Sequence, residues 1–281
     1  MTTSVFATLP PDWQAWIRDN LARACSPRDM ADSMARSGQY SMAFARAAIG
    51  EALGADLLAA PGRQAGMPQV DTTSNRLAVA GRAVEILCAL RQPRVVLLGN
   101  VLDEDECDAI VAHCDQRYTR STVTSEEDGA STVHDGRTSE MAVIQRGEHA
   151  LADRIEQRLA AIAQWPLECG EPFQLQKYGV AQQYRPHYDW LNPDSDGHRA
   201  HLRRGGQRLA TFILYLSDVE QGGGTAFPNI GLEVFPRKGS ALFFLNTDAS
   251  HRPDQQTLHA GCPVVRGTKI IANKWLRESV Y

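Results

Sequence analysis

From Glu171 onward the chain reads as a succession of short β runs broken by Gly, Pro and Asn, a texture that restricts the possible folds more than any other feature. The runs cover 174–180, 183–188, 208–216, 224–227, 232–235, 241–246, 257–259, 264–266 and 269–276, with no helical pattern between them. Repeated short strands of this kind predict two packed antiparallel sheets, a sandwich or jelly roll. In such a fold alternate residues of facing strands line one interior space, so side chains far apart in sequence converge there.

Three residues in this region have the chemistry to share a metal ion. His187 and Asp189 are two positions apart, so on a strand both side chains leave from the same face. His259 sits in a later β run, and two histidines with one carboxylate form the facial triad that suits non-haem Fe(II) and leaves positions open for substrates. A bare His-x-Asp is equally readable as a surface pair, and context has to decide. Lys269, ten positions after His259, stands near the start of the last strand. An inward lysine there needs an anionic partner, which a carboxylate-bearing cosubstrate supplies; a solvent-facing lysine after Gly267 is the plainer alternative. His198 and His251 lack matching spacing and are left out of the metal set.

The rest of the chain frames this region. A length of 281 residues allows one large domain, or one domain with an appendage. Residues 10–54 carry helical patterns: Trp13, Trp16, Ile17 and Leu21, then Ser26-Pro27 as cap and first position of a second helix, then Met42, Ala45, Ile49 and Leu53 closed by Gly54. These helices make an appendage that serves oligomerisation, shapes the substrate entrance, or simply packs its apolar stripe. Residues 55–76 read as a connector, which divides the chain into a helical appendage with linker, 1–75, and a main domain, 76–281. Strands are expected at 82–87 and 94–98, and helices from Asp103 and over 147–164. The polar stretch 120–139 reads as a mobile surface loop, and the basic stretch 194–208 as a solvated loop or a clamp for a carboxylate-bearing substrate.

A net charge of −4 offers no basic footprint for nucleic acid or an anionic membrane, and no apolar run reaches transmembrane length. The first residues lack a charged start followed by an apolar core, so no signal peptide is read. Six cysteines without CxxC spacing read as reduced thiols, and a cytoplasmic location is expected.

The motifs also carry a family resemblance. Tyr178-Gly179, Tyr184-x-x-His187-x-Asp189, Arg208-x-x-Thr211-x-x-x-Tyr215-Leu216, Gly222-Gly223-Gly224-Thr225-x-Phe227-Pro228, Gly239-x-Ala241-Leu242-x-Phe244 and His259-Ala260-Gly261-Cys262-Pro263-Val264-x-x-Gly267-x-Lys269 follow one another in order. In spacing they resemble the catalytic domain of prolyl 4-hydroxylase-type Fe(II)/2-oxoglutarate-dependent dioxygenases, over about residues 80–278. The resemblance implies a mainly β fold with flanking helices, built on a double-stranded β-helix, or jelly-roll, core. It implies that His187, Asp189 and His259 hold Fe(II), that Lys269 pairs with the distal carboxylate of 2-oxoglutarate, that Tyr215 hydrogen-bonds the same carboxylate, and that Tyr178 contacts the cosubstrate near the iron. Arg137, Thr138, Ser139, Tyr184 and Trp190 follow as substrate contacts, whereas Trp275 is expected in the core. O2 is the second cosubstrate and ascorbate the implied reductant.

The implied reaction is hydroxylation of an unactivated C–H of a proline or proline-like residue in a peptide or protein, with succinate and CO2 as coproducts. Asp189, where a halogenase would carry Gly or Ala, fits hydroxylation. Two other readings stay open: a hydroxylase of a free amino acid (proline, pipecolate, lysine, arginine) or small natural product, for which the arginines of 199–208 would anchor a carboxylate, and a non-catalytic jelly-roll binding protein.

Overall fold

The structure, a computed structural model, describes residues 4–23, 25, 27–54, 66–124 and 130–281. It divides into two compact units, Met1–Arg63 and Gln64–Tyr281. In the first, helices α1 (Pro11–Ala22), α2 (Pro27–Arg36) and α3 (Met42–Leu53) bury Ile17, Met30, Met34, Ala45 and Ile49 in a small core of their own. The cap of α3 is as the sequence suggests: Ser41 accepts the Phe44 N–H, and Gly54 leaves the helix at a φ of 71°. The cap read at Ser26 and the connector residues 55–65 lie outside the described residues.

The second unit opens with β1 (Arg76–Val79), β2 (Arg82–Leu90), β3 (Val95–Gly99), helix α4 (Glu104–Cys114), the short strands β4 (Thr119–Arg120), β5 (Thr122–Thr124) and β6 (Ser131–Val133), β7 (Glu140–Ile144) and helix α5 (Ala150–Ala163). It continues through β8 (Phe173–Tyr178), β9 (Tyr184–His187), helix α6 (Asp196–Leu202), β10 (Arg208–Tyr215), β11 (Gln221–Gly222), β12 (Thr225–Phe227), β13 (Leu232–Val234), β14 (Ala241–Leu245), β15 (His259–Gly261), β16 (Val264–Arg266) and β17 (Lys269–Arg277). An antiparallel nine-stranded sheet in the order β1-β2-β3-β14-β10-β17-β8-β7-β4 packs against a four-stranded sheet, β13-β12-β15-β9, giving the jelly roll that the β texture predicts.

Alternation along the central strands assigns the two faces of the large sheet. Phe212, Leu214, Phe243, Leu175, Ala272 and Leu276 join Ile110 and Cys114 of α4 and Ile155, Leu159 and Ile162 of α5 in one core. The other face carries Ile213, Tyr215, Leu242, Phe244, Ile271 and Tyr178, which meet Phe227 and Val234 of the small sheet. Lys269, Ile271, Asn273, Trp275 and Arg277 therefore follow one another along the inner face of β17, between the sheets. Helix α4 starts with a reciprocal cap, the Asp103 carboxylate accepting the Glu106 N–H and the Glu106 carboxylate accepting the Asp103 N–H.

Several expectations need correction. Residues 66–75 pack with the second unit: Val70 is buried in its core and the Gln69 N–H donates to the Ala163 carbonyl at 2.8 Å. The stretch 120–139 is not wholly loop, because Thr122–Thr124 and Ser131–Val133, β-branched at every position but Ser131, pair as a ribbon; residues 125–129 lie outside the described residues. β1 and β7 are strands that periodicity alone did not announce. The basic stretch 194–208 contains helix α6, capped by the Ser195 side chain, and ends at Arg208, which is drawn inward by Glu171. Arg208 donates to both carboxylate oxygens of Glu171 (2.6 and 3.0 Å), and Arg277 adds a further bond to it at 3.0 Å.

Candidate active site

His187 ends β9, His259 opens β15, and the two are direct cross-strand partners. Asp189 follows two residues after His187 and is 6% exposed. Nitrogen and oxygen donors of the three residues lie within 4.8 Å of one another; Nε2 of His187 is 3.8 Å from one oxygen of Asp189, and Nε2 of His259 is 3.6 Å from the other. The backbone sets the tautomers. A carbonyl only accepts, so the bonds from Nδ1 of His187 to the Arg185 carbonyl (2.9 Å) and from Nδ1 of His259 to the Thr257 carbonyl (3.0 Å) put a proton on each Nδ1. Nε2 of each ring is then the atom turned toward the carboxylate. Burial and the adjacent His259 push His187 down to about 3, so it is a neutral donor at physiological pH. Thr211 donates to Oδ2 of Asp189 at 2.8 Å and itself accepts from Asn246 at 2.9 Å, which fixes the carboxylate plane. Two imidazoles with Nε2 turned inward and one anchored carboxylate are the donor set that a divalent iron takes.

Lys269 begins β17 opposite Tyr178 of β8 and is 2% exposed. Its Nζ reaches the Gly224 carbonyl at 3.5 Å and sits 5.5 Å from the centre of the Tyr178 ring, and burial pushes the ammonium down to about 8. That is a cation held for an anion. The glycine turn beside it is required by contact: Gly222 has a φ of 75°, and a Cβ there would stand 2.5 Å from the Pro263 carbonyl oxygen. Tyr215 is fully buried and donates to the Thr225 hydroxyl at 2.9 Å, so its proton is committed within the protein. The Tyr178 hydroxyl donates to the Gln176 side chain, and burial pushes that phenol up to about 12.

A cavity of about 460 Å³ opens onto His187 and Asp189, lined also by Arg137, Tyr184, Trp190, Arg208 and Trp275. Arg137 donates to the Thr122 carbonyl and the Gln174 side chain, both at 2.8 Å, and its guanidinium lies 4.9 Å from the Tyr184 ring centre. Tyr184 stacks on His187 at 3.5 Å between centroids. Thr138 and Ser139 do not line this cavity: Thr138 bridges to the Gln183 backbone, and the fully buried Ser139 bonds Ser121 at 2.8 Å. Trp275, expected in the core, forms part of the cavity wall and stacks beneath Arg208 at 3.9 Å. His198 also lines the cavity but stands apart from the metal cluster.

Gln174, Gln176, Asn273, Thr211 and Asn246 are site residues that sequence reasoning missed. A signal for the first three was present: stepping back by two from Tyr178 gives Gln176 and Gln174, and stepping forward by two from Lys269 gives Asn273 and Trp275.

Residues 173–277 match the model of the 2OG-Fe(II) oxygenase superfamily. Prolyl 4-hydroxylase 5 of Arabidopsis thaliana is 36% identical over 203 residues, which cover 66% of this chain and 68% of the plant protein. Prolyl 4-hydroxylase subunit alpha-1 of Rattus norvegicus is 35% identical over 187 residues, and there the chain spans only 35% of the relative's length. Among solved structures, the viral collagen prolyl hydroxylase of Paramecium Bursaria Chlorella virus-1, in its 2OG complex, is similar with a TM-score of 0.52 and 29% identity, over 65% of this chain and 95% of that one. The superfamily takes Fe(II), 2-oxoglutarate and O2, and the metal triad and the anion-seeking lysine are the features by which this chain would bind them. On fold, donor set and kinship together, the chain belongs to the prolyl 4-hydroxylase family of 2OG-Fe(II) oxygenases.

Proposed function

We propose that this chain is an Fe(II)- and 2-oxoglutarate-dependent dioxygenase that hydroxylates a proline or proline-like residue within a peptide or protein. The observation that carries the reading is the convergence of His187, Asp189 and His259, the first two on the wall of the 460 Å³ cavity, with Nε2 of both histidines turned toward the carboxylate. Bound iron and 2-oxoglutarate supply the oxidant that places one oxygen atom of O2 in a C–H bond, with succinate and CO2 as coproducts.

The chain's own residues hold and orient. His187, Asp189 and His259 bind the metal, Thr211 and Asn246 keep the Asp189 carboxylate from rotating, and Lys269 receives the distal carboxylate of 2-oxoglutarate. Tyr215 acts on that end through Thr225, and Tyr178 packs beside Lys269. Arg137, Tyr184 and Trp190 position substrate in the cavity. Residues 76–281, with 66–75 packed on them, are the dioxygenase domain, and the N-terminal helices are an appendage to it.

A peptide is favoured over a free amino acid because Arg208, the arginine of 199–208 that lines the cavity, is already engaged with the Glu171 carboxylate. The names of the plant, animal and viral relatives support proline as the target. No helix among the described residues is long and apolar enough to cross a membrane, and the described cysteines are free thiols, which fits a reducing compartment such as the cytoplasm.

The test is 2-oxoglutarate-coupled succinate release with proline-containing peptides beside free proline, pipecolate, lysine and arginine. Peptide-dependent release that disappears in His187→Ala and Asp189→Ala, with far-UV circular dichroism unchanged, supports the reading. Release driven by a free amino acid alone would overturn its substrate half, and full turnover in either variant its metal half.

A further inference from the structure

Asn273 lies on the inner face of β17, directly opposite Ile213 of β10 and Gln174 of β8. Its side chain is 7% exposed and lines the same cavity as His187 and Asp189. Its Oδ1 is buried and has no partner among the described residues. A buried amide left in this state costs roughly 1–3 kcal/mol, so it is a group held ready for something absent.

No hydrogen bond reaches that oxygen from its cross-strand neighbours among the described residues. The Gln174 carbonyl already accepts from Arg137 at 2.8 Å and from Gln176 at 3.2 Å, and Gln176 accepts from Tyr178. Ile213, on the other side, has no polar atom. These bonds link Tyr178, Gln176, Gln174 and Arg137 in one row, and Asn273 stands beside it outside the row.

The other buried orphans of the cavity wall, among the described residues, are donors: Nε of Arg137 and Nε1 of Trp190 and Trp275. Donors of this kind receive carbonyl oxygens. Asn273 alone among these orphans presents an acceptor, and its amide pairs in-plane with another amide, taking an N–H and giving one to a C=O. The prolyl nitrogen of a peptide has no hydrogen, so the N–H must come from a flanking residue.

We propose, on the strength of the peptide-hydroxylase reading above, that Asn273 is a specificity-determining residue that binds the main-chain amide of the residue flanking the target proline. The enzyme thereby tells a peptide with a hydrogen-bearing neighbour from one whose neighbouring amide lacks a hydrogen.

The experiment is a double-mutant cycle between protein and ligand on the full chain. The probes are a capped alternating Pro–Ala peptide and the same sequence with each alanine replaced by L-lactate, which exchanges every N–H for an ester oxygen without added bulk. Dissociation constants are read by calorimetry and kcat/KM by succinate release, for the unsubstituted chain and for Asn273→Ala and Asn273→Leu. The ester is expected to bind the unsubstituted chain about threefold to tenfold more weakly than the amide, the range of one neutral hydrogen bond. In the variants that preference should shrink toward one. An equal preference in chain and variants would overturn the proposal, as would no preference in the unsubstituted chain, which needs no variant to fold. Succinate release that no peptide stimulates, while a free amino acid does, would instead sink the underlying reading and the proposal with it.

Discussion

Replacing Lys269 by methionine should stabilise the ligand-free protein while weakening its hold on 2-oxoglutarate. The ammonium is 2% exposed, and its nearest acceptor is a carbonyl at 3.5 Å. Burial lowers its pKa from the ordinary 10.5 to about 8. At about 1.4 kcal/mol per pH unit, keeping it charged in the ligand-free protein costs about 3 kcal/mol. Methionine has similar length and no charge, so Lys269→Met should recover about 1–3 kcal/mol of stability and raise the melting temperature by roughly 2–10 °C for a domain of this size. The same substitution removes a charge-assisted hydrogen bond worth about 1.5–3 kcal/mol to an incoming carboxylate, so KM for 2-oxoglutarate should rise by roughly tenfold to a hundredfold. Thermal unfolding of the ligand-free protein and succinate release at varied 2-oxoglutarate measure the two effects. A lower melting temperature with an unchanged KM would mean that Lys269 is a structural residue, and the assignment would fail.

The pH dependence follows from the same group. With a folded pKa near 8, below its unfolded value, the unfolded chain binds more protons between about pH 8 and 10.5, so this residue's contribution to stability rises across that window. Binding runs the other way: 2-oxoglutarate affinity should be flat below pH 8 and fall by up to about tenfold per pH unit above it, and a flat binding curve to pH 9.5 would contradict this. Thr211→Val leaves Asp189 without its donor and Asn246 without its acceptor; metal affinity should drop about tenfold to a hundredfold in anaerobic calorimetry, and an unchanged dissociation constant would remove Thr211 from the metal-positioning network. Glu171→Gln leaves Arg208 and Arg277 buried beside a neutral amide; a loss of about 3–5 kcal/mol is expected in denaturant unfolding, and an unshifted midpoint would show that the cluster is solvated.

The metal centre was legible because each of its signals is local. His187 and Asp189 are separated by one strand repeat, and His259 and Lys269 stand in a spacing that few other sites share. The jelly roll was legible in the same way, since turn residues punctuate every short strand after Glu171. What escaped were partnerships made across the sheet. Glu171 and Arg208 are 37 residues apart, and nothing in a basic stretch says that its last arginine turns inward while the preceding residues form a capped helix. Gln174, Gln176 and Asn273 look like surface residues of an amphipathic strand. They point inward because the fold keeps a polar cavity between its sheets, and hydropathy does not distinguish a wet interior from solvent. Thr138 and Ser139, which the resemblance implies as substrate contacts, do not line the cavity, and their hydroxyls bond Gln183 and Ser121.

The two histidine tautomers have one further implication. Each imidazole is oriented by the carbonyl of the residue two places before it, Arg185 or Thr257, and a carbonyl is present whatever side chain that residue carries. The orientation of both imidazoles is therefore written into the main chain. Drift at 185 or 257 leaves it untouched, whereas a carboxylate doing the same service could be lost in a single codon change. Within such a lineage the lining of the cavity is free to explore new substrates while the iron ligands inherit their readiness unaltered.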